Sequence, residues 1–140
     1  MTDPTLVAKK LAMIETRVRE LKNVVRIDEI PHDVREERFA LYTLQTAIQA
    51  TLDVASHIVS DERLGEPATN RALFAALARA AWIPEQLAET LAGMAGFRNV
   101  LVHGYADVDL AIVDDVLRRH LDDLLSFVEQ VRARLDPPVR

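Results

Sequence analysis

The 140-residue chain contains no cysteine. Thiol nucleophiles, cysteine-ligated zinc and a disulfide framework are therefore excluded, and a reducing compartment suits the chain. Glycine is scarce, with four residues in all. None builds a G-x-G-x-x-G turn or a P-loop, so no glycine-rich loop is available to cradle nucleotide phosphates. No segment approaches the roughly 18 apolar residues of a membrane span. The start, Met1-Thr2-Asp3-Pro4-Thr5, lacks the basic opening and apolar stretch of a signal peptide. A soluble, cytoplasmic protein without membrane partners is the expectation. Positive charge is also short: the formal net charge is −5. A broad basic surface that coats nucleic acid is not expected, and DNA is not an expected partner, but a local basic pocket stays open.

What is present points to helix. Hydrophobic residues make up 49% of the chain, with Ala and Leu prominent, which favours helix over sheet. Asp3-Pro4 reads as a cap followed by a first-turn proline, and Val7, Leu11, Ile14, Val18, Leu21 and Val25 follow in steps of four and three. After Pro31, Asp33 with Glu36 reads as a capping box for a second helix to about Ser60, with Val34, Leu41, Leu44, Ile48, Leu52, Ala55 and Val59 as its stripe. A loop with Gly65 and Pro67 leads to a shorter helix from Asn70 to about Ala81. Ile83-Pro84 restarts the chain for a helix with Leu87, Leu91, Met94 and Leu101 in one stripe and Ala88, Ala92 and Ala95 beside it. Asp107 or Asp109 then caps one last long helix carrying Val113, Leu117, Leu124, Val128, Val131 and Leu135, ending at Pro137-Pro138. The expectation is a single all-α domain over residues 1–140, an antiparallel bundle of four to five helices.

The chemistry concentrates in Phe97-Arg98-Asn99-Val100-Leu101-Val102-His103-Gly104-Tyr105. Arginine offers a rigid fork for phosphate, asparagine adds neutral donors, and imidazole is the side chain that ordinarily titrates nearest neutral pH. Arg98 falls where the stripe expects a core residue, and an unpaired buried charge costs several kcal/mol, on the order given for broken ion pairs. It therefore needs a carboxylate, a phosphate or a wet cleft. Asn99 and His103, four apart, share the neighbouring face, and Gly104 permits Tyr105 to turn back toward them. The plainer alternative pairs Arg98 with an acid on another helix and packs His103 at a helix interface.

The run Arg98-Asn99-x-x-x-His103-x-Tyr105 resembles the signature of HEPN-domain ribonucleases, specifically the HepT-like toxins. The likeness extends over nearly the whole chain, through a long first helix and a second that reads Arg38-Phe39-Ala40-Leu41-Tyr42 on to Asp53 and His57. It implies a HEPN-like fold and a homodimeric, metal-independent endoribonuclease with no cofactor, whose motifs from two protomers meet in an interface cleft. It also implies an antitoxin partner of minimal nucleotidyltransferase fold. By position, Arg98 and His103 match the catalytic pair, Asn99 the polar residue beside the arginine, and Tyr105 the tyrosine that is adenylylated. The alternative from a different class is a non-catalytic HEPN dimer that scaffolds a nucleotidyltransferase or holds a nucleotide for it.

Other groups carry weaker expectations. Asp53 and His57, four apart on the second helix, either orient each other and border the site or simply pair along the helix. No His-Glu-x-x-His spacing supports a metal site. Asp114-Asp115 and Asp122-Asp123 read as a solvated face, His120 as a packed residue, and Phe74 and Trp82 as core. Ser56 and Ser126 have no strand-to-helix elbow to activate them.

Overall fold

The computed structural model describes residues 3–135, which fold into six α-helices with no strand among them. α1 (Pro4–Asn23) begins where the Asp3 carboxylate accepts from the backbone N–H groups of Thr5 and Leu6 at 3.0 and 3.3 Å. These bonds satisfy donors that a helix start leaves orphaned. Every residue of its expected stripe is buried.

α2 (Val34–Asp61) is capped by Asp33, which accepts from Arg35 N–H at 2.8 Å. Glu36 does not close the expected box: it accepts from the N–H of Arg26 at 3.1 Å and ties the preceding loop instead. Val34 lies on the solvent side, 62% exposed, while the rest of the stripe is buried. α1 and α2 run antiparallel, joined at one end by Lys10 and Asp53 at 3.1 Å.

α3 (Asn70–Arg79) is capped by Thr69 and ends earlier than its apolar pattern suggests. Ala81 adopts a left-handed φ of 62°, and Trp82 N–H bonds back to Leu77 C=O at 2.9 Å, closing the helix end. α4 (Glu85–His103) returns antiparallel along α3 and carries the polar run at its far end. Gly104, with φ 131° and ψ 145°, stops it. Only glycine takes that conformation without strain, and the chain then makes a 3₁₀ turn over Tyr105–Asp107.

The single last helix expected from the sequence is two helices, α5 (Leu110–Arg119) and α6 (Leu121–Leu135). They are divided at His120, whose backbone leaves helical geometry at φ −121° and ψ 3°. Its ring bridges the break, with Nδ1 2.9 Å from Asp123 and Nε2 3.3 Å from Asp115. The Pro137-Pro138 stop lies outside the described residues. Asp109 is the cap of α5, accepting from Ala111 N–H.

α2 runs through the middle of the bundle and packs on α1, α3, α4 and α6. Phe74 of α3 meets Phe127 of α6 edge to face, with centroids 6.2 Å apart, a favoured aromatic arrangement. Arg134 stacks over buried Trp82 at 4.8 Å, so both aromatics read as core are core. Along the rim, Arg132 makes a two-pronged bond to Glu15 of α1 at 2.6 and 2.8 Å. That hydrogen bonding holds the Glu15 carboxyl below its ordinary 4.5. A depressed acid stabilises the fold above its unfolded-state value, and the contribution fades as pH falls through the folded-state value. Both partners are about a third exposed or more, so Glu15→Gln is expected to cost at most about 1 kcal/mol at neutral pH. In urea titrations across acid pH, the gap between the variant and the unaltered protein should close.

Candidate active site

The last two turns of α4 hold three of the four predicted groups. Arg98 is half-buried, and its Nε atom is buried with no hydrogen-bond partner. One of its terminal nitrogens, Nη1, donates to Asn99 Oδ1 at 3.3 Å. No carboxylate among the described residues forms an ion pair with it, so the alternative of an interhelix pair is not realised. A guanidinium sits on the apolar stripe, half-buried and without an ion pair among the described residues. A guanidinium in that setting can take a carboxylate or a phosphate as its partner.

His103 is the final residue of α4 and is exposed, with no side-chain hydrogen bond among the described residues. It is not a packed interface histidine within this subunit. An accessible imidazole without a fixed partner is free to exchange a proton with a bound ligand. Asn99 lies four residues before it on the same helical face.

Tyr105 follows immediately through the Gly104 turn. It is half-buried, leans against the hydrophobic core, and has the guanidinium of Arg38 over its ring, 5.4 Å from the centroid. Arg38 comes from α2, 60 residues upstream of Arg98. The run that begins at Arg38 carries part of the family likeness but no role at the site; the packing of α2 against the end of α4 brings Arg38 there.

Asp53 and His57 go elsewhere. Asp53 accepts from Lys10 Nζ at 3.1 Å and from Gln49 Nε2 at 2.8 Å, and His57 Nε2 lies 3.0 Å from Asp61 and 3.4 Å from the backbone nitrogen of Asp3. They do not bond to each other. Fifteen residues of α2 separate Asp53 from Arg38, about 22 Å along the axis. Within one subunit, neither residue is brought to Tyr105. Asp114 and Asp115 are engaged by Arg118 and Arg119 on their own helix, and Asp122 by Lys22. Among the described residues, no cluster of three or more His, Asp or Glu side chains is arranged to hold a metal ion.

Both α4 and α2 carry exposed apolar side chains. Val100 and Val102 on α4 and Phe39 and Tyr42 on α2 are exposed, Tyr42 by 59%. Val102 stands three residues after Asn99 and four after Arg98, on their side of the helix. Sizeable concavities lie away from the motif. One of about 410 Å³ lies between α3 and α4, floored by Ala75, Ala78, Ala88 and Ala92, and one of about 580 Å³ between α1 and α6. Beside the former, Arg71 lies over Gly96, where a Cβ would come within 2.7 Å of its Nη1. Neither concavity counts Arg98, Asn99, His103 or Tyr105 among its lining residues.

Fold and site together define an all-helical bundle with a half-buried guanidinium and an exposed imidazole at the end of one helix, neither in an ion pair among the described residues. Residues 14–131 match the family described as ribonuclease HepT-like. The chain is 30% identical to the mRNA nuclease HepT of Shewanella oneidensis over 129 residues, spanning 91% of this chain and 97% of that protein. It is 27% identical to the tRNA nuclease HepT of Aphanizomenon flos-aquae, over 95% of this chain and 92% of the relative. A solved structure of the tri-AMPylated Shewanella oneidensis HEPN toxin in complex with MNT antitoxin superposes with a TM-score of 0.85 at 30% identity, covering 95% and 99% of the two chains. The chain belongs to the ribonuclease HepT-like family. The all-α expectation holds, with six helices where the sequence suggested four to five. Among the described residues, no helix is long and apolar enough to cross a membrane.

Proposed function

We propose that this chain is the endoribonuclease toxin of a two-gene module, cutting RNA without a metal and held in check by a nucleotidyltransferase-fold antitoxin. The observation that carries the reading is Arg98: half-buried, on a core stripe and without a carboxylate among the described residues, five residues before the exposed His103. Its relatives are named as nucleases of mRNA and tRNA, and the solved toxin is paired with an MNT antitoxin. RNA, ATP and such a partner meet in the cytoplasm, where the protein would act.

The working form is a homodimer. Val100 and Val102 on α4 and Phe39 and Tyr42, close in sequence to Arg38 on α2, are exposed apolar side chains, and covering such surface with a second copy would turn an open face into a cleft. In it the ribose 2′-oxygen attacks the adjacent phosphorus and the bond to the 5′-oxygen breaks. The 2′-hydroxyl proton is removed and the leaving oxygen receives one. His103 performs one transfer and His103 of the second copy the other. Arg98 binds the charge that grows on the phosphorane, and Asn99 orients Arg98 through their hydrogen bond. The product carries a 2′,3′-cyclic phosphate.

Tyr105 is the acceptor for silencing. Its phenolic oxygen attacks the α-phosphorus of ATP on the partner enzyme, pyrophosphate leaves with the bonding pair, and the phenolic proton passes to solvent. The resulting AMP ester sets a bulky anion beside the cleft, blocking and repelling RNA. The description of the solved relative as tri-AMPylated supports this role.

The test is RNA cleavage by purified, unmodified protein in excess chelator, with the ends of the products identified by mass spectrometry. Cyclic phosphate ends are expected. A folded, unmodified protein that leaves RNA intact, with or without added divalent metal, would instead identify a non-catalytic scaffold.

A further inference from the structure

We propose that Arg38 is a second phosphate-binding cation of this site, positioned by its stack on Tyr105. The inference rests on the ribonuclease reading and adds a residue outside the motif. Arg38 is exposed near the start of α2 and forms no ion pair with any carboxylate among the described residues. Its contact with an aromatic ring is to Tyr105, at 5.4 Å. That ring is itself held against the core, just beyond the Gly104 turn that follows His103.

An arginine on a helix surface normally samples many rotamers, and fixing it is opposed by side-chain entropy. Stacking on a seated ring selects one region of that space. It also divides the guanidinium into two functions. The guanidinium carbon lies over the tyrosine ring, while the N–H donors, which lie in the plane of the group, are taken by no ion pair among the described residues. Edge-on presentation is how a guanidinium takes a phosphate in two parallel hydrogen bonds. In a chain of net charge −5, a cation beside the motif that forms no ion pair among the described residues is a specific attraction for an RNA backbone rather than part of a general one. Adenylylation of Tyr105 places the new phosphodiester on the residue that carries this stack, so Arg38 becomes occupied at the moment RNA is excluded. Modification then removes a cation from the substrate path besides filling the space.

The experiment is binding of a fluorescent single-stranded RNA oligonucleotide to full-length, unmodified protein carrying His103→Ala, followed by anisotropy across a salt series. Adding Arg38→Ala is expected to raise Kd about tenfold and to flatten the dependence of log K on log salt by about 0.7, the loss of one single-strand phosphate contact. Arg38→Lys should keep the salt slope, because the charge remains. Tyr105→Phe should keep slope and affinity, because a ring remains. Tyr105→Ala should weaken binding, with no further loss when combined with Arg38→Ala. Arg19→Ala, an equal change of charge on α1, should leave the slope unchanged. An unchanged slope in Arg38→Ala, an equal flattening in Arg19→Ala, or independent losses from Arg38→Ala and Tyr105→Ala would overturn the assignment. If folded His103→Ala protein binds no RNA at low salt, the ribonuclease reading fails and Arg38 falls with it. If the unaltered protein binds RNA but does not cut it, catalysis fails while the Arg38 result still stands or falls on its slope.

Discussion

Replacing His103 with alanine is expected to slow RNA cleavage by about 10²–10⁴-fold, the usual worth of a positioned acid or base, while leaving the unfolding midpoint unchanged. Both halves follow from where the residue sits. It ends α4, is exposed and forms no side-chain hydrogen bond among the described residues, so its truncation opens no cavity and orphans no partner. The same exposure makes chemical rescue a fair demand: added imidazole should restore part of the rate in His103→Ala and none in a variant that has lost Arg98. Cleavage kinetics and a urea titration on the same preparation check the pair of outcomes. Full activity in a folded His103→Ala protein would remove the residue from the reaction.

The bundle was legible because its helices bury one stripe each. Val7, Leu11, Ile14, Val18 and Leu21 are spaced as a buried face must be, and all are buried. The break at His120 was not legible for the same reason. Val113 and Leu117 before it and Leu124, Val128 and Val131 after it all face one core, so the apolar rhythm runs through a kink that only the backbone at His120 reveals. The early end of α3 was hidden likewise, since a left-handed Ala81 carries no glycine to announce it. At the site, Arg98, Asn99, His103 and Tyr105 lie within eight residues, and one helix end presents most of their geometry. Arg38 was beyond reach of spacing arguments, because α2 meets α4 through the tertiary fold alone. Asp53 and His57 show the converse. A four-residue step on one helix suggested a pair, yet each found a partner elsewhere, on α1 or one turn along.

Arg98→Met is expected to yield a more stable protein that scarcely cuts RNA. The position continues the stripe of Leu87, Leu91 and Met94, so an unbranched apolar side chain matches what the neighbouring turns bury. Arginine there leaves Nε buried with no acceptor, and an unmatched buried donor costs about 1–3 kcal/mol. The guanidinium is half-exposed and keeps its bond to Asn99, which places the gain near the lower end, about 1 kcal/mol. Cleavage should fall by about 10²–10³-fold, as when one preorganised donor to a developing oxyanion is lost. On the proposed mechanism the two effects share a cause: a cation left without a partner by the fold would find one in the phosphorane, at some loss of stability. Arg132→Met serves as the comparison, since it removes a paired arginine from the α1–α6 rim, and it should lower stability slightly with cleavage intact. Urea midpoints at constant slope and initial cleavage rates decide the matter. Arg98→Met that is clearly less stable than the unaltered protein, with its cleavage rate preserved, would make Arg98 a structural residue and leave the site without its anion receptor.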